Sequence, residues 1–455
     1  MRMEGTAVKK DLVIVGGGPA GYHCALQCAR LGLKPLLIEK DALGGTGLRW
    51  GCLPVKTLMD GIRRVKSGFE REPEGSLSAK PLARETGESL LADCRSKMAE
   101  NSRRMEHTLT EAGVEVMYGN LRLISDHALE LNEKTIEFNR LVLATGTEAL
   151  PPQGVVPDGR HIITHREAVN LTTPPKSVVI LGGDVEGLEF ASLFSELGTK
   201  VTVLEMQPDM LAGFDDDLTA PLFHRLALNG VTLERSARVE AVHLTDTGVE
   251  VVTTRGNRYQ AEKAMVAMAR RPVVPEGLEN TSLVLEQGRI PVNDQCATKL
   301  PHVYCIGDLN GRMEMAHTAL QQGIFLADHL AAGQDMGWDY GTLPWVIFGL
   351  PQCGGAGAQE KNLKEQGIPY RKSVVYWKDT WRGIGQGEAQ GFLKVLVSDE
   401  GNLLGIWLTG ENISEMAALA GVVVNKKTTL QQVKQQLWVH PTLSEALLQA
   451  VLQLT

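Results

Sequence analysis

Apolar and polar positions alternate along the chain with the spacing of strands and helices, and two segments repeat one design. They read DLVIVGGGPAGYHCALQCARLGLKPLLIEK, residues 11–40, and SVVILGGDVEGLEFASLFSELGTKVTVLE, residues 177–205. Each has a β-branched apolar run, a glycine turn, a helix with small residues on one face, and a second apolar run that ends in Glu. This order predicts two βαβ units, each in a parallel sheet with a mononucleotide at the N-terminus of its helix.

The pattern outside these units predicts a connection and a third region. Residues 67–90 are polar and rich in Pro, Gly and Glu, which predicts a loop or a poorly ordered connection. From residue 339 onward, the runs WVIFGLPQ, SVVYWKD and FLKVLVSDEGNLLGIWLTG precede two helical stretches. This pattern is typical of a β-meander with helices, which is an α+β domain.

Length, charge and cysteine usage limit the class of protein. The 455 residues are too many for one core and predict two to four domains. A net charge of −8 gives no electrostatic reason to expect nucleic acid or an anionic membrane surface. No apolar run approaches the ~18 residues of a spanning helix, and MRMEGTAVKKD lacks the apolar core of a signal peptide, so we expect a cytoplasmic protein. Seven cysteines without regular spacing argue against a disulfide scaffold, and we assign no metal site.

The first glycine turn carries a dinucleotide-binding pattern. Gly16, Gly18 and Gly21 form G-x-G-x-x-G directly after a predicted strand, and Glu39 ends the next strand, where a ribose hydroxyl would lie. Glycine is needed there because the turn is tight, the backbone must approach the pyrophosphate, and the helix must pack close to the sheet. With strand, helix and terminal acid all in place, the pattern predicts a nucleotide site.

The second glycine turn keeps this pattern only in part. Gly182 and Gly187 hold the first and third positions, but Asp184 stands in the middle and Glu186 follows it. An acid ~5–6 Å from a pyrophosphate charge costs about 3 kcal/mol at an effective dielectric of about 20, near a hundredfold in affinity. Glu205 ends the strand where an NAD ribose acceptor belongs, and no arginine follows to hold a 2′-phosphate, which favours NADH over NADPH. The unit is either an NADH site or a scaffold that has lost its ligand.

Further segments, taken with the two units, resemble one known family. They are LVLATGTEALPP at 141–152, VYCIGD at 303–308, MAHTALQQG at 315–323 and VHPTLSE at 439–445. From residue 10 to the C-terminus the chain resembles the pyridine nucleotide-disulfide oxidoreductases, of the dihydrolipoamide dehydrogenase, glutathione reductase and mercuric reductase type. The resemblance implies an α/β fold with two Rossmann-like domains, for FAD and NAD(H), and a C-terminal α+β dimerisation domain that forms a homodimer. The implied domains are FAD-binding at 1–152 and 274–338, NAD-binding-like at 153–273, and interface at 339–455.

The resemblance also implies roles for individual residues. Cys52 is the implied thiol nearest the flavin, where it forms a charge-transfer contact, and Lys56 and Glu189 are the implied ion pair beside the flavin N5 and the nicotinamide. His440, oriented by Glu445, is the implied acid–base at the partner subunit's redox centre, and a histidine suits that task because its ordinary pKa lies near working pH. The implied FAD contacts are Gly16, Gly18, Gly21, Glu39, Gly45, Thr46, Lys56, Leu121, Ala144, Thr145, Gly146, Gly307, Asp308 and Ala316. The implied NAD contacts are Gly182, Gly187, Glu205 and Ala269.

The chain departs from the family pattern at the redox disulfide and at the nicotinamide site. In GGTGLRWGCLPVK, residues 44–56, Gly47 stands where the family has its interchange cysteine, and Val55 replaces a serine. Ala269 replaces a glycine close to the nucleotide, and Val273 replaces an asparagine. Dihydrolipoamide oxidation exchanges a disulfide between substrate and enzyme, which needs two protein sulfurs. We therefore expect no ordinary lipoamide turnover.

Two enzymatic functions fit these features. The first is an FAD-dependent NADH:acceptor oxidoreductase, in which electrons leave by direct transfer to a quinone, a dye, oxygen or a partner protein while Cys52 tunes the flavin. Soluble transhydrogenases, which also keep a Trp at the Trp50 position, likewise lack one of the two cysteines. The second is single-cysteine chemistry, in which Cys52 cycles through a sulfenic acid or a mixed disulfide and His440 protonates the leaving group. We favour the first.

The third function is non-enzymatic. The acids Asp184 and Glu186 would then mark a flavin-loaded binding subunit that docks another protein, and a lipoyl protein is a formal partner that no residue supports. Tryptophan is enriched at contact sites, so four tryptophans of the interface domain that look exposed in the sequence are candidates for that docking, although we favour core and dimer packing for them. They are Trp338, Trp345, Trp377 and Trp381.

Overall fold

The chain forms two compact units. The computed structural model describes residues 8–68, 78, 80–334, 339–387 and 390–454. One unit comprises Met1–Pro54, Ala92–Leu150 and Ala269–Trp338, and the other comprises Val55–Leu91, Pro151–Met268 and Asp339–Thr455. The second βαβ segment and the C-terminal segment belong to the same compact unit. The division of the chain into an FAD-binding, an NAD-binding-like and an interface domain therefore stays a prediction.

The described residues contain strands, α-helices and one π-helix. The strands are β1 Val8–Val15, β2 Pro35–Glu39, β3 Glu115–Tyr118, β4 Leu121–Ser125, β5 Ala128–Leu131, β6 Lys134–Leu143, β7 Thr147–Leu150, β8 Ile162–Ile163, β9 Ser177–Leu181, β10 Lys200–Leu204, β11 Thr232–Glu234, β12 Val239–Thr245, β13 Gly248–Thr253, β14 Arg258–Ala261, β15 Lys263–Val266, β16 Ala269–Pro272, β17 Val303–Cys305, β18 Trp345–Ile347, β19 Gln352–Gly357, β20 Arg371–Tyr376, β21 Phe392–Val397 and β22 Leu403–Gly410. The α-helices are α1 Pro19–Arg30, α2 Cys52–Lys66, α3 Arg84–Glu111, α4 His165–Ala168, α5 Val185–Glu196, α6 Asp216–Leu228, α7 Ala316–Ala332, α8 Glu360–Glu365, α9 Trp381–Gln386, α10 Ser414–Asn425, α11 Leu430–Lys434 and α12 Ala446–Leu452, and the π-helix is Thr46–Trp50. None of these helices combines the length and the apolar character that a membrane span requires.

The first unit is built on a seven-stranded sheet with the order β3-β2-β1-β6-β5-β4, and β17 lies beside β6. Strand β1 pairs in parallel with β2, and Leu12 lies opposite Pro35. Helix α1 begins at Pro19, a residue that suits the first helical position because it lacks an N–H. The helix packs against α7 so closely that a Cβ on Gly323 would lie 2.2 Å from the carbonyl oxygen of Ala20. The first predicted βαβ unit is present as β1, α1 and β2.

The described residues of the second unit form three sheets. Strands β11-β10-β9-β15-β8 form a parallel sheet, β12-β13-β14 form an antiparallel one, and β18-β19-β22-β21-β20 form the C-terminal sheet. The second predicted βαβ unit is present as β9, α5 and β10, with Val178 opposite Val201. The C-terminal sheet is antiparallel, but the predicted meander is wrong for the whole sheet, because β19 pairs with β22 and β20 lies at the opposite edge. Helices α10, α11 and α12 follow the sheet, one helix more than the two predicted stretches. The predicted α/β fold with two Rossmann-like units and a C-terminal α+β region is confirmed.

Helix α3 corrects the connection predicted for residues 67–90. The helix begins at Arg84, so the prediction is wrong from that residue onward, and residues 69–77 and 79 lie outside the described part of the chain. The segment looked like a loop because most of its positions are polar. A narrow apolar stripe nevertheless runs down one helix face, and each member is at most 9% exposed: Leu91, Cys94, Met98, Met105 and Leu109.

The candidate tryptophans of the C-terminal region differ in exposure. Trp377 is 0% exposed and its indole N–H donates to the Thr409 carbonyl at 2.7 Å, so the favoured core interpretation is confirmed for this residue and its docking role is not. Trp345 is half-buried in β18, whereas Trp381 is 66% exposed. Trp338 lies outside the described residues.

A buried lysine ties the C-terminal sheet to the end of a loop before α6. Lys394 in β21 is 0% exposed, and its ammonium lies 2.8 Å from Asp215, 2.8 Å from Asp217 and 3.1 Å from Glu360. Burial by itself would raise the pKa of Glu360, but hydrogen bonds from Tyr370 and from the lysines lower that pKa to about 2. The carboxylate form of Glu360 is therefore favoured in the folded protein.

We expect the free energy of unfolding to fall as the pH drops from about 4.5 toward 2. Glu360 binds a proton more readily in the unfolded chain than in the folded protein. The stability that its carboxylate form contributes above its ordinary pKa is therefore lost as the pH falls through the pKa that Glu360 has in the folded protein. Denaturant midpoints at pH 6, 4.5 and 3, read from tryptophan fluorescence, measure this slope. Glu360→Gln should flatten it, whereas Glu365→Gln, at an exposed carboxylate of the same helix, should not. Equal slopes in wild type and Glu360→Gln would contradict the assignment.

Candidate active site

The glycine turn of the first βαβ unit has no space for side chains at its ends. Gly16 has φ +103°, a conformation that favours glycine, and a Cβ on Gly21 would lie 1.9 Å from the Gly16 carbonyl oxygen. Gly18 is different, because its φ of −72° suits any residue and the nearest atom to a Cβ there is 3.8 Å away. Glycine at this position therefore leaves open space rather than permitting a special backbone conformation.

A second loop faces this space. Gly45 has φ +51°, and a Cβ on it would lie 2.8 Å from the Cα of Gly18, so the two backbones face each other closely. At the end of β2, one carboxylate oxygen of Glu39 accepts the Gly17 N–H at 2.7 Å, and Gly119 donates its N–H to the Glu39 carbonyl at 2.9 Å. The turn, the second loop and the terminal acid together form a cradle at the carboxyl ends of the strands, where α/β sheets bind nucleotides.

Asp308 lies in a cluster of polar groups within the same unit. Thr147 donates to the Asp308 carboxylate at 3.1 Å, and Arg270 donates to the Thr147 hydroxyl at 2.8 Å and to the Thr46 hydroxyl at 3.4 Å. Burial raises the pKa of Asp308 despite the opposing charge of Arg270 and the hydrogen bond from Thr147. Sequence reasoning missed Arg270 and Thr147, because they meet only through the antiparallel pairing of β16 with β7.

The remaining predicted flavin contacts take up several positions in the first unit. Ala144 follows β6 and donates its N–H to Val15 at 2.8 Å, while Thr145 and Gly146 continue the same turn. Gly307 donates to the Gln322 side chain at 2.7 Å, and Ala316 begins α7. Leu121 begins β4 at the edge of the sheet, two residues after Gly119, whose N–H contacts Glu39. The roles of all these residues stay predictions.

Lys56 and Glu189, separated by 133 residues in sequence, form an ion pair. The ammonium lies 2.6 Å from the carboxylate, and the exposed fractions of the two side chains are 20% and 7%. The second carboxylate oxygen accepts the N–H of Phe348 at 2.9 Å, and the lysine nitrogen lies 4.7 Å from the centre of the Phe348 ring. Helices α2 and α5 thus present a fixed pair of charges, held by a phenylalanine that no sequence motif indicated.

Gly47 lies where a side chain has little room. It is buried in the π-helix, and a Cβ there would lie 2.6 Å from Cγ of Pro19 and 3.3 Å from Cβ of Ala316. Cysteine at this position would require movement of Pro19. The π-helix is a conformation that is frequent at functional sites, and the predicted loss of an interchange cysteine at Gly47 stays a prediction.

Cys52 is the first residue of α2 and the exposed member of the seven cysteines, all of which lie in the described residues. The other six are buried, and burial raises the pKa of Cys94 to about 11 and of Cys296 and Cys353 to about 12. The N-terminal end of a helix stabilises an anion, and thiolates are the reactive form of cysteine. Cys52 therefore has the accessibility and the setting of a reactive thiol that the others lack.

The second βαβ unit repeats the backbone frame of the first. Gly182 has φ +118°, and a Cβ on Gly187 would lie 2.0 Å from its carbonyl oxygen, as in the first unit. Asp184 has φ −90° and ψ −170°, close to the conformation of Gly18, but its side chain is exposed and caps no backbone N–H. One carboxylate oxygen of Glu205 accepts the Gly183 N–H at 2.7 Å. The frame of a nucleotide site is intact, and Asp184 adds a charge to it.

Ala269 belongs to the first unit. It is the first residue of β16 and pairs with Leu150 of β7. Its predicted contact with a nicotinamide nucleotide stays a prediction.

His440 and Glu445 meet near the C-terminus. The histidine Nδ1 lies 2.9 Å from the carboxylate, whose side chain is 11% exposed, while the imidazole is 61% exposed. The carboxylate thus orients a ring whose other face is accessible. The Trp381 ring lies edge-on to the imidazole, with centroids 6.4 Å apart and planes at 75°. Within the described residues no group of three His, Cys, Asp or Glu side chains is placed to hold a metal ion.

Two βαβ units with nucleotide-type glycine turns occur in this one chain. Residues 10–323 match the pyridine nucleotide-disulphide oxidoreductase family, and residues 343–451 match the dimerisation domain of that family. The chain belongs to the pyridine nucleotide-disulphide oxidoreductase family. The resemblance seen in the sequence is confirmed, and the chain is an oxidoreductase of the flavoprotein type by its relatives.

Curated relatives match over nearly their full length. A dihydrolipoyl dehydrogenase from Bacillus subtilis is 30% identical over 467 residues, covering 98% of this chain and 98% of that protein. A soluble pyridine nucleotide transhydrogenase from Mycobacterium tuberculosis is 30% identical over 452 residues, covering 97% and 96%. These relatives carry two different names at the same level of identity, so likeness alone does not choose between activities.

Solved structures have the same fold. LpdA from Mycobacterium tuberculosis superposes with a TM-score of 0.89 at 25% identity, covering 98% of this chain and all of that one. The HOCl-induced flavoprotein disulfide reductase RclA from Escherichia coli gives a TM-score of 0.87 at 22% identity, a likeness of fold alone.

Proposed function

We propose that this chain is an FAD-dependent NADH:acceptor oxidoreductase that works without a redox-active disulfide. The observation that carries the proposal is the contrast between Gly47 and the glycine cradle of the same unit. A Cβ at Gly47 would lie 2.6 Å from Pro19, whereas the cradle around Gly18 and Gly45 is open and the Lys56–Glu189 pair is formed. The nucleotide site is thus retained where the dithiol is lost.

The first unit fits FAD. The open position at Gly18 faces Gly45, and the N-terminus of α1 follows directly, which together suit a pyrophosphate. Glu39 stands at the end of β2 for a ribose, and half-buried Asp308 offers an acceptor for a hydroxyl-bearing chain. FAD, when bound, supplies a two-electron centre that takes a hydride from a nicotinamide and passes electrons to an acceptor.

The backbone of the second unit fits NADH, but the negative charges of its turn disfavour binding of NADH. Glu205 lies at the end of β10 as a ribose acceptor, and Met206 and Gln207 follow it where a 2′-phosphate would need an arginine. Asp184 and Glu186 lower the affinity for the pyrophosphate without blocking the turn, since the glycine conformations match those of the first unit. We infer a weak but specific NADH site.

Lys56 and Glu189 serve as positioning charges. A buried ion pair is stable when its geometry and its remaining hydrogen bonds are satisfied, and here the N–H of Phe348 satisfies the second carboxylate oxygen. Because Lys56 and Glu189 are both held in place, the lysine charge has a fixed position. A fixed charge is what electrostatic preorganisation at a reacting ring requires.

The matched dimerisation domain supports a homodimer, in which His440 would act at the partner's redox centre. Because Glu445 holds Nδ1 at 2.9 Å, the Nε2 atom faces away from the carboxylate and is available to hold or release a proton. Electrons delivered to a quinone require protons, and His440 suits that delivery. We infer direct electron transfer to a small-molecule or protein acceptor, and no exchange with a lipoyl disulfide.

A second candidate function is reduction of a peroxide or a disulfide by Cys52 alone. The observation in its favour is that Cys52 is the exposed cysteine and begins a helix. Attack on a peroxide would form a sulfenic acid at Cys52 and release water or an alcohol, and the two electrons that restore the thiol would come from NADH. No neighbouring thiol would be needed.

The variant Cys52→Ser separates the two functions. We expect its turnover of NADH with a quinone or ferricyanide to stay within about threefold of wild type, because the thiol tunes the flavin and carries no electrons. Cys94→Ser, at a buried thiol that donates to the Pro54 carbonyl at 3.5 Å, is the control for replacing a cysteine. Turnover of peroxide or disulfide that vanishes in Cys52→Ser would establish the second function, and lost quinone turnover would overturn the first.

A further inference from the structure

An exposed tryptophan stands beside the imidazole of His440. The ring centroids of Trp381 and His440 are 6.4 Å apart, and the ring planes meet at 75°. Both residues belong to the same compact unit, and both side chains are more than half exposed. Aromatic rings contribute most when they are covered, and exposed apolar side chains that cluster mark binding sites. Trp381 is therefore a candidate contact for the molecule on which His440 acts.

The backbone that carries Trp381 is fixed. Trp381 is the first residue of α9, and the buried Thr380 before it accepts the N–H of Gly383 at 3.0 Å. The Thr380 hydroxyl donates to the Trp377 carbonyl at 2.8 Å, and a Cβ on Gly383 would lie 2.0 Å from that carbonyl oxygen. Because this capped and tightly packed turn holds the helix start, the backbone needs little ordering when a ligand meets the indole.

The imidazole is also held in place. Glu445 lies 2.9 Å from Nδ1, and its own N–H donates to the Thr442 hydroxyl at 3.3 Å. Aromatic rings that interact have centroids about 4.5–7 Å apart. A flat ring that stacks on Trp381 at such a separation can lie next to the imidazole, because the imidazole is itself 6.4 Å from the indole.

A cleft of about 620 Å³ adjoins the pair. Residues of α9, of α10 and of the loop after His440 line it, among them Arg382, Glu415, Met416, Leu419, Pro441 and Leu443. Ligand pockets commonly have volumes of about 300–1,000 Å³ and apolar walls, so a molecule of two fused rings has enough room. Of the described residues that line the cleft, Arg382 and Glu415 carry charges of opposite sign. The cleft therefore favours an uncharged ligand.

We propose that Trp381 is the binding platform for the electron acceptor, and that the acceptor is an uncharged, planar quinone stacked on the indole beside His440. The inference rests on the proposed function, in which electrons leave by direct transfer and His440 acts at the partner's redox centre. A quinone suits the site because it is flat, uncharged and apolar over its faces. Its carbonyl oxygens take up protons on reduction, which places them usefully next to an imidazole.

The reaction balances with the groups that the proposal names. A quinone becomes a hydroquinone by gaining two electrons and two protons. NADH supplies two electrons and one proton as a hydride, by way of the flavin. The second proton comes from His440, which recovers it from solvent. Trp381 gives and takes no electrons, so its loss should weaken binding of the quinone more than it slows the transfer.

The test follows reoxidation of the flavin without oxygen. The FAD-loaded protein is reduced with one equivalent of dithionite and mixed with increasing 1,4-naphthoquinone, or with ferricyanide, which has no aromatic face. We expect Trp381→Ala to raise the half-saturating concentration of the quinone about threefold to tenfold, which is the usual contribution of an aromatic pair. The maximal rate with the quinone and the reoxidation by ferricyanide should stay within about twofold of wild type.

Three further variants separate stacking from packing. Trp381→Phe should restore most of the affinity for the quinone, whereas Trp381→Leu, which keeps apolar bulk without a ring, should not. Tyr376→Leu is the matched control, because Tyr376 is an exposed aromatic residue of the same unit whose ring packs on Phe392 with centroids 6.1 Å apart. Its loss should leave the dependence on quinone concentration unchanged.

Several results would overturn the inference. They are an unchanged half-saturating concentration in Trp381→Ala, full affinity in Trp381→Leu, and equal losses with both acceptors. Sedimentation that shows a monomer for Trp381→Ala and a dimer for wild type would assign Trp381 to the dimer contact instead.

The failure of this inference and the failure of the proposed function can be told apart, because dithionite replaces NADH in the experiment. If NADH bleaches the flavin but the quinone does not reoxidise it, the inference falls and oxidation of NADH stands. If NADH fails to bleach the flavin while the quinone results are as expected, the NADH-dependent function falls and the role of Trp381 is supported.

Discussion

The variant Glu196→Gln is expected to lower the free energy of unfolding by about 3–5 kcal/mol. Glu196 is 0% exposed at the end of α5 and pairs with two buried cations, Lys66 of α2 and Arg225 of α6. The Arg225 guanidinium lies 2.8 Å from the carboxylate and also donates to the Ser78 carbonyl at 2.6 Å. Removing the charge of Glu196 leaves two buried cations facing each other without their shared anion.

Glu88→Gln is the control for loss of a carboxylate. Glu88 forms an exposed pair with Arg84 at 3.4 Å within α3, and its loss should change stability by less than about 0.5 kcal/mol. Urea titrations of both variants measure the difference. Glu196→Gln that unfolds at the wild-type midpoint would show that the buried cluster contributes nothing to stability.

The second large effect is expected from Gly18→Asp, which places in the first unit the acid that the second unit carries at Asp184. We expect a folded protein whose affinity for FAD falls about a hundredfold, because the acid would stand within ~5–6 Å of the pyrophosphate. Folding should survive, since the φ of −72° suits any residue and the nearest atom to a Cβ at Gly18 is 3.8 Å away.

Gly213→Asp adds the same charge at an exposed glycine with no atom within 4 Å of its Cβ, and should leave FAD content unchanged. Flavin fluorescence released on heating, compared with far-UV circular dichroism, measures FAD content and folding separately. A Gly18→Asp protein that purifies with full flavin would show that the pyrophosphate does not approach this turn.

Much of the fold follows from local sequence, because the repeated βαβ design fixes strands, turns and helices over short distances. The backbone of each nucleotide turn was also predicted from local sequence. Gly16 and Gly182 have φ of +103° and +118°, which is a conformation that favours glycine. The pairs Lys56–Glu189 and His440–Glu445, which the resemblance implied, lie in contact at 2.6 and 2.9 Å.

The features that sequence did not predict arise where chain segments distant in sequence meet. Lys66 and Lys394 are 1% and 0% exposed, and a lysine shows no sign of burial until its partners are placed around it. Arg270 belongs to no motif, and it meets Thr147 through the pairing of β16 with β7. Helix α3 was missed because its apolar stripe is narrow beside its many polar positions.

Oxidoreductase function without a disulfide is tested most directly by anaerobic titration of the purified protein with NADH, following the flavin absorbance. We predict stoichiometric bleaching of the yellow flavin, and its return on addition of a quinone, in wild type and in Cys52→Ser alike. A flavin that stays oxidised with NADH while dithionite reduces it would contradict this function and favour a flavin-loaded binding subunit.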